Sequence, residues 1–171
     1  METMDAIRAR RKVQSYSDEP IPEEALRQIL EAGRRSPSSR NQQRWAFVLV
    51  QDRDRLEQLS KVWRGAGHIE DAAAAVAIAA PRGETQDEVA SINYDLGQAT
   101  MSMMIAATGL GVGTRHASVK DKELGASILS LPDEWSLEWL IGLGYPGDGP
   151  IKPLDAHDRR PYDEVVHLEV W

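Results

Sequence analysis

Residues 36–45 concentrate side chains that both donate and accept hydrogen bonds. They read Ser-Pro-Ser-Ser-Arg-Asn-Gln-Gln-Arg-Trp and lead directly into the apolar run Ala46–Val50. Serine, asparagine and glutamine combine donors and acceptors, which suits the mixed polar edge of a planar heterocycle. The same composition also fits an ordinary loop between a helix and a strand. The segment alone leaves both interpretations open.

Two basic clusters near opposite ends of the chain favour ligand binding. The first comprises Arg8, Arg10, Arg11 and Lys12, and the second comprises Arg159 and Arg160. The planar guanidinium group matches the geometry of a phosphate and binds it through paired hydrogen bonds. Each cluster alone is also typical of a solvated face. Together with the polar segment, the clusters predict a ligand that carries one phosphate and one aromatic polar edge.

Length and composition predict one soluble domain over residues 1–171, with a chain long enough to bury a sizeable core. The net charge is −7 and no basic stripe interrupts the acidic balance, which argues against nucleic acid and anionic membranes as partners. The absence of cysteine excludes disulfides and thiolate catalysis. The first residues lack the plan of a signal peptide, and the apolar stretch 72–81 is too short to span a bilayer. We therefore expect a cytoplasmic protein.

Several apparent motifs do not indicate a site. Residues 142–147 match G-x-G-x-x-G, but Pro146 and Pro150 prevent the helix that a dinucleotide fingerprint must open. The four histidines show no ligand spacing, so no metal site is predicted; they are His68, His116, His157 and His167. No sequence signature of a nucleophile or a triad is present, and no catalytic side chain is predicted.

Hydrophobic periodicity and punctuation residues predict a mixture of helices and strands. Helices are predicted over residues 4–12, from the prolines at 20–22 to a stop at Gly33, after an Asp52 cap, over 93–108 with a stop at Gly109, and over 121–131. Strands are predicted over residues 45–50, 72–80 and 137–143, and an extended surface segment over 145–161. This mixture indicates an α+β or α/β fold.

Five segments in order resemble the FMN-dependent nitroreductase family over nearly the whole chain. They are IRARRKVQSY at 7–16, PSSRNQQRW at 37–45, GLG at 109–111, GLGYP at 142–146 and RRPYDEVVH at 159–167. The resemblance implies an α+β fold with a central, mostly antiparallel sheet wrapped by helices. It also implies an intertwined homodimer with FMN at the subunit interface. The tail 165–171, which ends in Trp171, independently favours an interface, where tryptophan is enriched.

The resemblance also assigns cofactor-binding residues by position. Phosphate contacts are implied for Arg10, Arg11, Lys12, Arg159 and Arg160, and the pyrimidine edge of the flavin for Gln14. Contacts from the other subunit are implied for Pro37, Ser38, Ser39 and Asn41. A loop over residues 114–117, which includes Arg115 and His116, is expected near the flavin N5.

The chain departs from the family pattern in the segments 7–16 and 37–45 and in the expected loop over residues 114–117. Lys12 stands where the family usually has serine, Gln14 where it has arginine or lysine, and Arg44 where it has proline. Lys12 keeps a positive charge for the phosphate. Gln14 lacks the cation that would stabilise an anionic reduced flavin. Arg115 and His116 replace a glycine-rich turn and are expected to fill space over the flavin.

The function implied by the resemblance is FMN-dependent oxidoreduction. NADH or NADPH would donate a hydride, and a small acceptor such as a nitroaromatic compound or a quinone would then be reduced in a ping-pong scheme. Two alternatives stay open. One is a non-catalytic protein that stores or senses FMN, and the other is a specialised branch that consumes its flavin or dehalogenates one substrate.

Overall fold

A four-stranded antiparallel sheet forms the centre of the computed structural model, which describes residues 1–154 and 159–171. Its strands are β1 (Ala46–Val50), β2 (Ala74–Pro81), β3 (Gly113–Ser118) and β4 (Trp135–Gly144). Their order across the sheet is β1-β2-β4-β3, and every neighbouring pair is antiparallel. A register shift opposite Ile78 and Ala79 leaves Glu138 as the extra residue of a bulge in β4.

Strand β2 is buried on both faces because its side chains are small or branched and apolar. Ala74, Val76 and Ile78 point into one hydrophobic cluster, whereas Ala75 and Ala77 point into the other. A strand with both faces covered has a continuous apolar sequence instead of an alternating one. The prediction of a strand in this alanine-rich run is therefore confirmed.

Helices cover both faces of the sheet. They are α1 (Thr3–Ala9), α2 (Glu23–Arg34), α3 (Arg53–Ser60), α4 (Gln86–Gly109) and α5 (Lys122–Leu129). One face packs against α2 and α4 through residues such as Ile29 and Leu96. The other packs against α3, α5 and a 3-10 helix over Arg64–Ile69, through residues such as Leu56 and Ile69. This arrangement confirms the α+β fold with a helix-wrapped antiparallel sheet.

Two predicted helix bounds shift because tertiary pairing and capping decide them. Helix α1 ends at Ala9 and not at residue 12, because the chain becomes extended at Arg10 and runs beside β3. There the Val13 N–H donates to the Thr114 carbonyl at 3.2 Å. Helix α4 begins at Gln86 and not at residue 93, because Thr85 caps it by accepting the Glu88 N–H at 3.2 Å.

Two further predictions, the role of Gly33 and the secondary structure of residues 114–117, were wrong. Gly33 does not stop α2, which continues to Arg34; a Cβ at Gly33 would lie 2.8 Å from Met103 Cγ, so this glycine lets α2 approach α4 closely. Residues 114–117 do not form a loop but belong to the edge strand β3, where Thr114 is paired with Leu143 of β4.

No regular element occurs over residues 145–154, in agreement with the predicted extended segment, whereas His157 lies outside the described residues. Across residues 1–154 and 159–171, none of the helices combines the length and the apolar character needed to cross a membrane.

Candidate functional site

A cavity of about 300 Å³ lies where the end of α1 meets the edge strand β3. It is lined by Arg10, Lys12, Gly65, Met104, Thr114, Arg115 and His116. The bridge between Lys12 and Thr114 fixes the extended segment after α1 against the strand. Three cations thus converge from two elements that are far apart in sequence. We call this space the cation cavity.

The cations of this cavity are not neutralised by the protein itself. In the part of the chain that the structure describes, Arg10, Lys12 and Arg115 form no salt bridge and no side-chain hydrogen bond. Among the described residues, the hydroxyl of Thr114 has no hydrogen-bond partner, and Thr114 is only 1% exposed in the cavity wall. The neighbouring Arg11 also has a buried Nη1 without a partner, but Arg11 does not line the cavity. Buried polar groups without partners are costly, so this wall is built to receive hydrogen-bonding oxygens from outside the chain. An anion with several oxygens fits this requirement.

His116 sits among these charges as a neutral group. Partial desolvation, and then the positive charges of Arg10 and Lys12, hold the pKa of His116 below its usual value. Its imidazole is therefore uncharged at neutral pH. Its ring centroid lies 6.1 Å from that of Trp139, with the planes tilted by 58°.

A second cavity of about 410 Å³ continues from the first and shares Arg10, Met104 and His116 with it. Its other lining residues are Asn93, Gly97, Thr100, Met101 and Trp139. An aromatic ring and two flexible thioether side chains provide a wall that suits a flat apolar ring system. The two connected cavities therefore offer an anion site at one end and a planar apolar site at the other.

The polar segment after α2 forms a tight loop over residues 38–43. Its backbone is left-handed at Arg40, Asn41 and Gln43, with φ of 52°, 56° and 50°. Asparagine tolerates this conformation, but arginine and glutamine adopt it at a cost. Ser38 Oγ accepts the Gln43 N–H at 2.9 Å and closes the loop. Strained backbone of this kind concentrates at functional sites.

Asp95 of α4 anchors this loop, and the sequence analysis missed it. The residue is 2% exposed, and its two carboxylate oxygens accept the Ser39 N–H at 3.1 and 3.2 Å. Arg44 lies with Nη2 at 3.6 Å from Asp95 Oδ2. An available signal was the position of Asp95 next to Leu96, inside the apolar stripe of α4.

The loop and the cation cavity lie on opposite sides of α4. Asp95 comes two residues after Asn93 and two before Gly97, which corresponds to about 160–200° around the helix. Asn93 and Gly97 line the second cavity, whereas Asp95 holds the loop. A single copy of the chain therefore does not bring Ser38, Ser39 and Asn41 to the cavity.

Comparisons with known proteins point to one family. The sequence model described as the Nitroreductase family matches residues 7–91, about half of the chain. A curated relative from Archaeoglobus fulgidus, with the provisional name NADH dehydrogenase/NAD(P)H nitroreductase, is 29% identical over 174 residues, covering 99% of this chain and 99% of the relative. This chain belongs to the nitroreductase family.

Two further comparisons agree with this nitroreductase assignment. The FMN reductase [NAD(P)H] of Bacillus subtilis is 26% identical over 190 residues, covering 99% of this chain and 74% of that protein. The solved NADPH:FMN oxidoreductase from Vibrio harveyi, complexed with NAD⁺, superposes with a TM-score of 0.86 at 21% identity, covering 99% of this chain and 77% of that one. The latter similarity confirms the nitroreductase fold. Membership in the family supports an oxidoreductase function.

Other residues that the nitroreductase resemblance assigns to the cofactor lie elsewhere in the single chain. Gln14 is exposed and lines a separate cavity of about 540 Å³, together with Tyr16 and His68. Arg160 is exposed, and its Nε lies 3.2 Å from Glu164 Oε2. Arg159 is also exposed, and within the described residues neither arginine lines the cation cavity. Pro37 is exposed at the start of the loop.

His68 connects the separate cavity to the site. Its Nε2 lies 2.9 Å from the Arg115 carbonyl oxygen, and the residue is 8% exposed. Burial, more than any nearby charge, lowers the pKa of His68. A neutral His68 that donates from Nε2 thus supports the backbone of β3 at Arg115.

Proposed function

We propose that this nitroreductase-family protein is an FMN-dependent NAD(P)H oxidoreductase that reduces a small acceptor such as a nitroaromatic compound or a quinone. The observation that carries the proposal is the cation cavity, whose charges have no acidic partner among the described residues, beside the apolar wall at Trp139. FMN combines a phosphate with a planar ring system, so it matches this pair of cavities in charge and in shape. The named activities of the Bacillus and Vibrio relatives support the same choice.

The residues present fit FMN at both ends. Arg10 and Lys12 would hold the phosphate, and Arg115 adds a third positive charge. The buried Thr114 hydroxyl, which has no hydrogen-bond partner among the described residues, would gain one from a ligand oxygen. Met101, Met104 and Trp139 would pack against the ring. These side chains bind and orient the cofactor and keep water from one of its faces.

When bound, FMN supplies the redox chemistry, because it accepts a hydride from NADH or NADPH and passes electrons to the acceptor. The chain contributes binding, orientation and charge. No side chain at the cavities needs to act as a nucleophile. His116, whose pKa is lowered by burial and by Arg10 and Lys12, adds no full charge of its own to the anion site at neutral pH.

The proposal includes a homodimer. The loop over residues 38–43 is held on the side of α4 that faces away from the cavity, so a second copy must supply Ser38, Ser39 and Asn41. Large apolar side chains that a second copy could cover are exposed on α4 and on the tail. They include Tyr94 at 73%, Met101 at 45%, Leu168 at 84%, Val170 at 78% and Trp171 at 100%. Burial of these side chains against a second copy would remove their apolar surface from water.

The test is to compare the binding of FMN and riboflavin, which differ only in the phosphate. The protein, stripped of any flavin, is titrated with each compound while flavin fluorescence is followed. FMN should bind at least about 100-fold more tightly, since hydrogen bonds to charged groups each contribute about 1.5–3 kcal/mol and more than one is available. Equal affinities, or no binding of either flavin, would refute the assignment of the cation cavity.

A further inference from the structure

The loop over residues 38–43 is held at both ends by the same helix. At its start, the Ser39 N–H donates to the carboxylate of Asp95. Immediately after its end, Arg44 Nη2 donates to Ser91 Oγ at 2.8 Å. Ser91 and Asp95 are four residues apart on α4 and therefore lie one turn from each other on one face. Helix α4 thus provides two neighbouring attachment points for the loop.

The charges at these attachment points depend on one another. Asp95 is almost fully buried, and a buried carboxylate is tolerated only with hydrogen bonds or an opposite charge. Arg44, whose side chain is 15% exposed, supplies that charge and also lies 3.7 Å from Glu88 Oε1. Removing Arg44 takes from the buried Asp95 the positive charge beside it, whereas removing Asp95 leaves Arg44 with Glu88 and Ser91. Asp95 is therefore the member of the pair that holds the Ser39 end of the loop, and Arg44 the member that compensates its charge.

The strain in the loop explains why such an attachment is needed. Arg40 and Gln43 are held in the left-handed region without the benefit of glycine. A short exposed loop would relax out of this conformation if its ends were free. The bonds to Asp95 and Ser91 fix the two ends, and the bond from the Gln43 N–H to Ser38 Oγ closes the interior.

We propose that Asp95 and Arg44 form a positioning pair, which holds residues 38–43 in the conformation that meets the flavin of the other subunit. This inference rests on the proposed function. Asp95 is not a catalytic residue, because it lies on the face of α4 opposite the cavity and is covered by the loop. Its effect on the flavin runs through the backbone of Ser39. The resemblance assigned Ser39 and Asn41 to the flavin, but it gave no role to Asp95 and none to Arg44 beyond a departure from the pattern.

The experiment measures loop order and flavin binding separately in Asp95→Ala, Asp95→Asn and a control. Loop order is measured without flavin, as the rate of tryptic cleavage after the exposed Arg40. Flavin binding is measured as the dissociation constant of FMN. The matched control is Asp87→Asn, which changes an exposed acid in the first turn of the same helix. Thermal unfolding of each flavin-free variant shows whether the fold persists.

Asp95→Ala should accelerate cleavage after Arg40 and weaken FMN binding, each by at least about tenfold. The reason is that the Ser39 N–H loses the carboxylate that accepts its hydrogen bond, and a hydrogen bond to a charged group is stronger than one between neutral groups. Asp95→Asn should have a smaller effect on cleavage, because its amide oxygen still accepts the Ser39 N–H. The control should match the wild type in both measurements. If Asp95→Ala does not fold, Ser39→Pro removes the same N–H from the surface. The extended Ser38, with φ −143° and ψ 156°, is compatible with a following proline.

Three results would overturn the inference in different ways. Unchanged cleavage after Arg40 in folded Asp95→Ala would show that Asp95 does not anchor the loop. Faster cleavage with unchanged FMN affinity would show that the anchored loop does not serve the flavin. A wild-type protein that binds no FMN would refute the proposed function itself, and with it the flavin role of this pair.

Discussion

The substitution Arg10→Met tests the cation cavity at its most central residue. Arg10 lines both cavities, is half-buried, and forms no salt bridge with any described residue. Methionine keeps much of the apolar stem and removes the guanidinium group. Arg10 comes directly after the last residue of α1, so the helix itself does not depend on its side chain. The substitution therefore removes charge with little change in packing.

The expected loss of FMN affinity in Arg10→Met follows from the absence of a competing partner for this guanidinium group among the described residues. Because Arg10 pairs with no carboxylate in the described part of the chain, most of its interaction with a phosphate contributes to affinity. A hydrogen bond to a charged group contributes about 1.5–3 kcal/mol, which corresponds to a dissociation constant about 10- to 150-fold larger. Lys12 and Arg115 remain and provide partial compensation, so we expect the lower half of this range.

The assay is a fluorescence titration of flavin-free protein with FMN and, in parallel, with riboflavin. Arg10→Met should weaken FMN binding and leave riboflavin binding nearly unchanged. The control is Arg8→Met on the same helix, because Arg8 is 58% exposed and already lies 3.8 Å from Asp5. The reasoning would be refuted if Arg10→Met bound FMN within about threefold of the wild type, a difference of less than 1 kcal/mol. An equal loss of FMN and riboflavin affinity would point to a disturbed fold instead.

The remaining predictions concern protonation and packing. Inorganic phosphate should raise the pKa of His116, because an anion beside Arg10 and Lys12 offsets their charge; a pKa in an NMR titration that does not respond to phosphate would contradict this. Because burial lowers the pKa of His68 in the folded state, the unfolded chain takes up the proton first as pH falls; stability should decrease below about pH 6.5, and His68→Gln should reduce that decrease in urea unfolding. Gly113→Ala should lower the free energy of unfolding by about 1–3 kcal/mol, since its Cβ would lie 2.5 Å from a methyl of Val13. Gly97→Ala, in a helix with open space around the new Cβ, should instead raise the free energy of unfolding by about 0.5–1 kcal/mol; equal effects of the two alanines would refute the packing argument.

The elements that were predictable from the sequence are those whose signals are local. Asp52 was expected to cap a helix, and its carboxylate accepts the Arg55 N–H at 3.0 Å. Strand β1 and strand β2 are continuous apolar runs that end at polar residues or at proline, and both were located to within two residues at each end. Helix caps and buried strands depend on a few adjacent residues, so a single sequence contains the necessary information.

Strand β3 could not be predicted, because its conformation depends on a distant partner. Its sequence, GTRHAS, has few residues that favour a strand, and the loop expected there came from the family resemblance alone. The edge of β4 provides the hydrogen bonds, and the segment after α1 covers the other side at Thr114. Tertiary pairing here overrides local preference.

The cationic residues of the candidate site were predictable from the sequence, whereas the apolar residues that line its second cavity were not. Arg10 and Lys12 were assigned from their clustering and from the family pattern, and the structure places them around one cavity. Met103 of α4, which falls on the apolar stripe of this helix, is fully buried in the core. Met104 belongs to the same core cluster at 3% exposed and also lines the second cavity, together with the exposed Met101. Helical spacing alone does not distinguish a face that meets the core from a neighbouring face that lines a cavity.

The central claim is that this chain holds FMN and reduces it with a nicotinamide. The most direct measurement is the visible spectrum of the purified protein, reconstituted with FMN and titrated anaerobically with NADH and with NADPH. The account predicts a bound flavin spectrum that bleaches rapidly with at least one of the two. A bound flavin that stays oxidised with both would show a flavin-binding protein without this activity. A protein that takes up no FMN at all would contradict the account of the cation cavity.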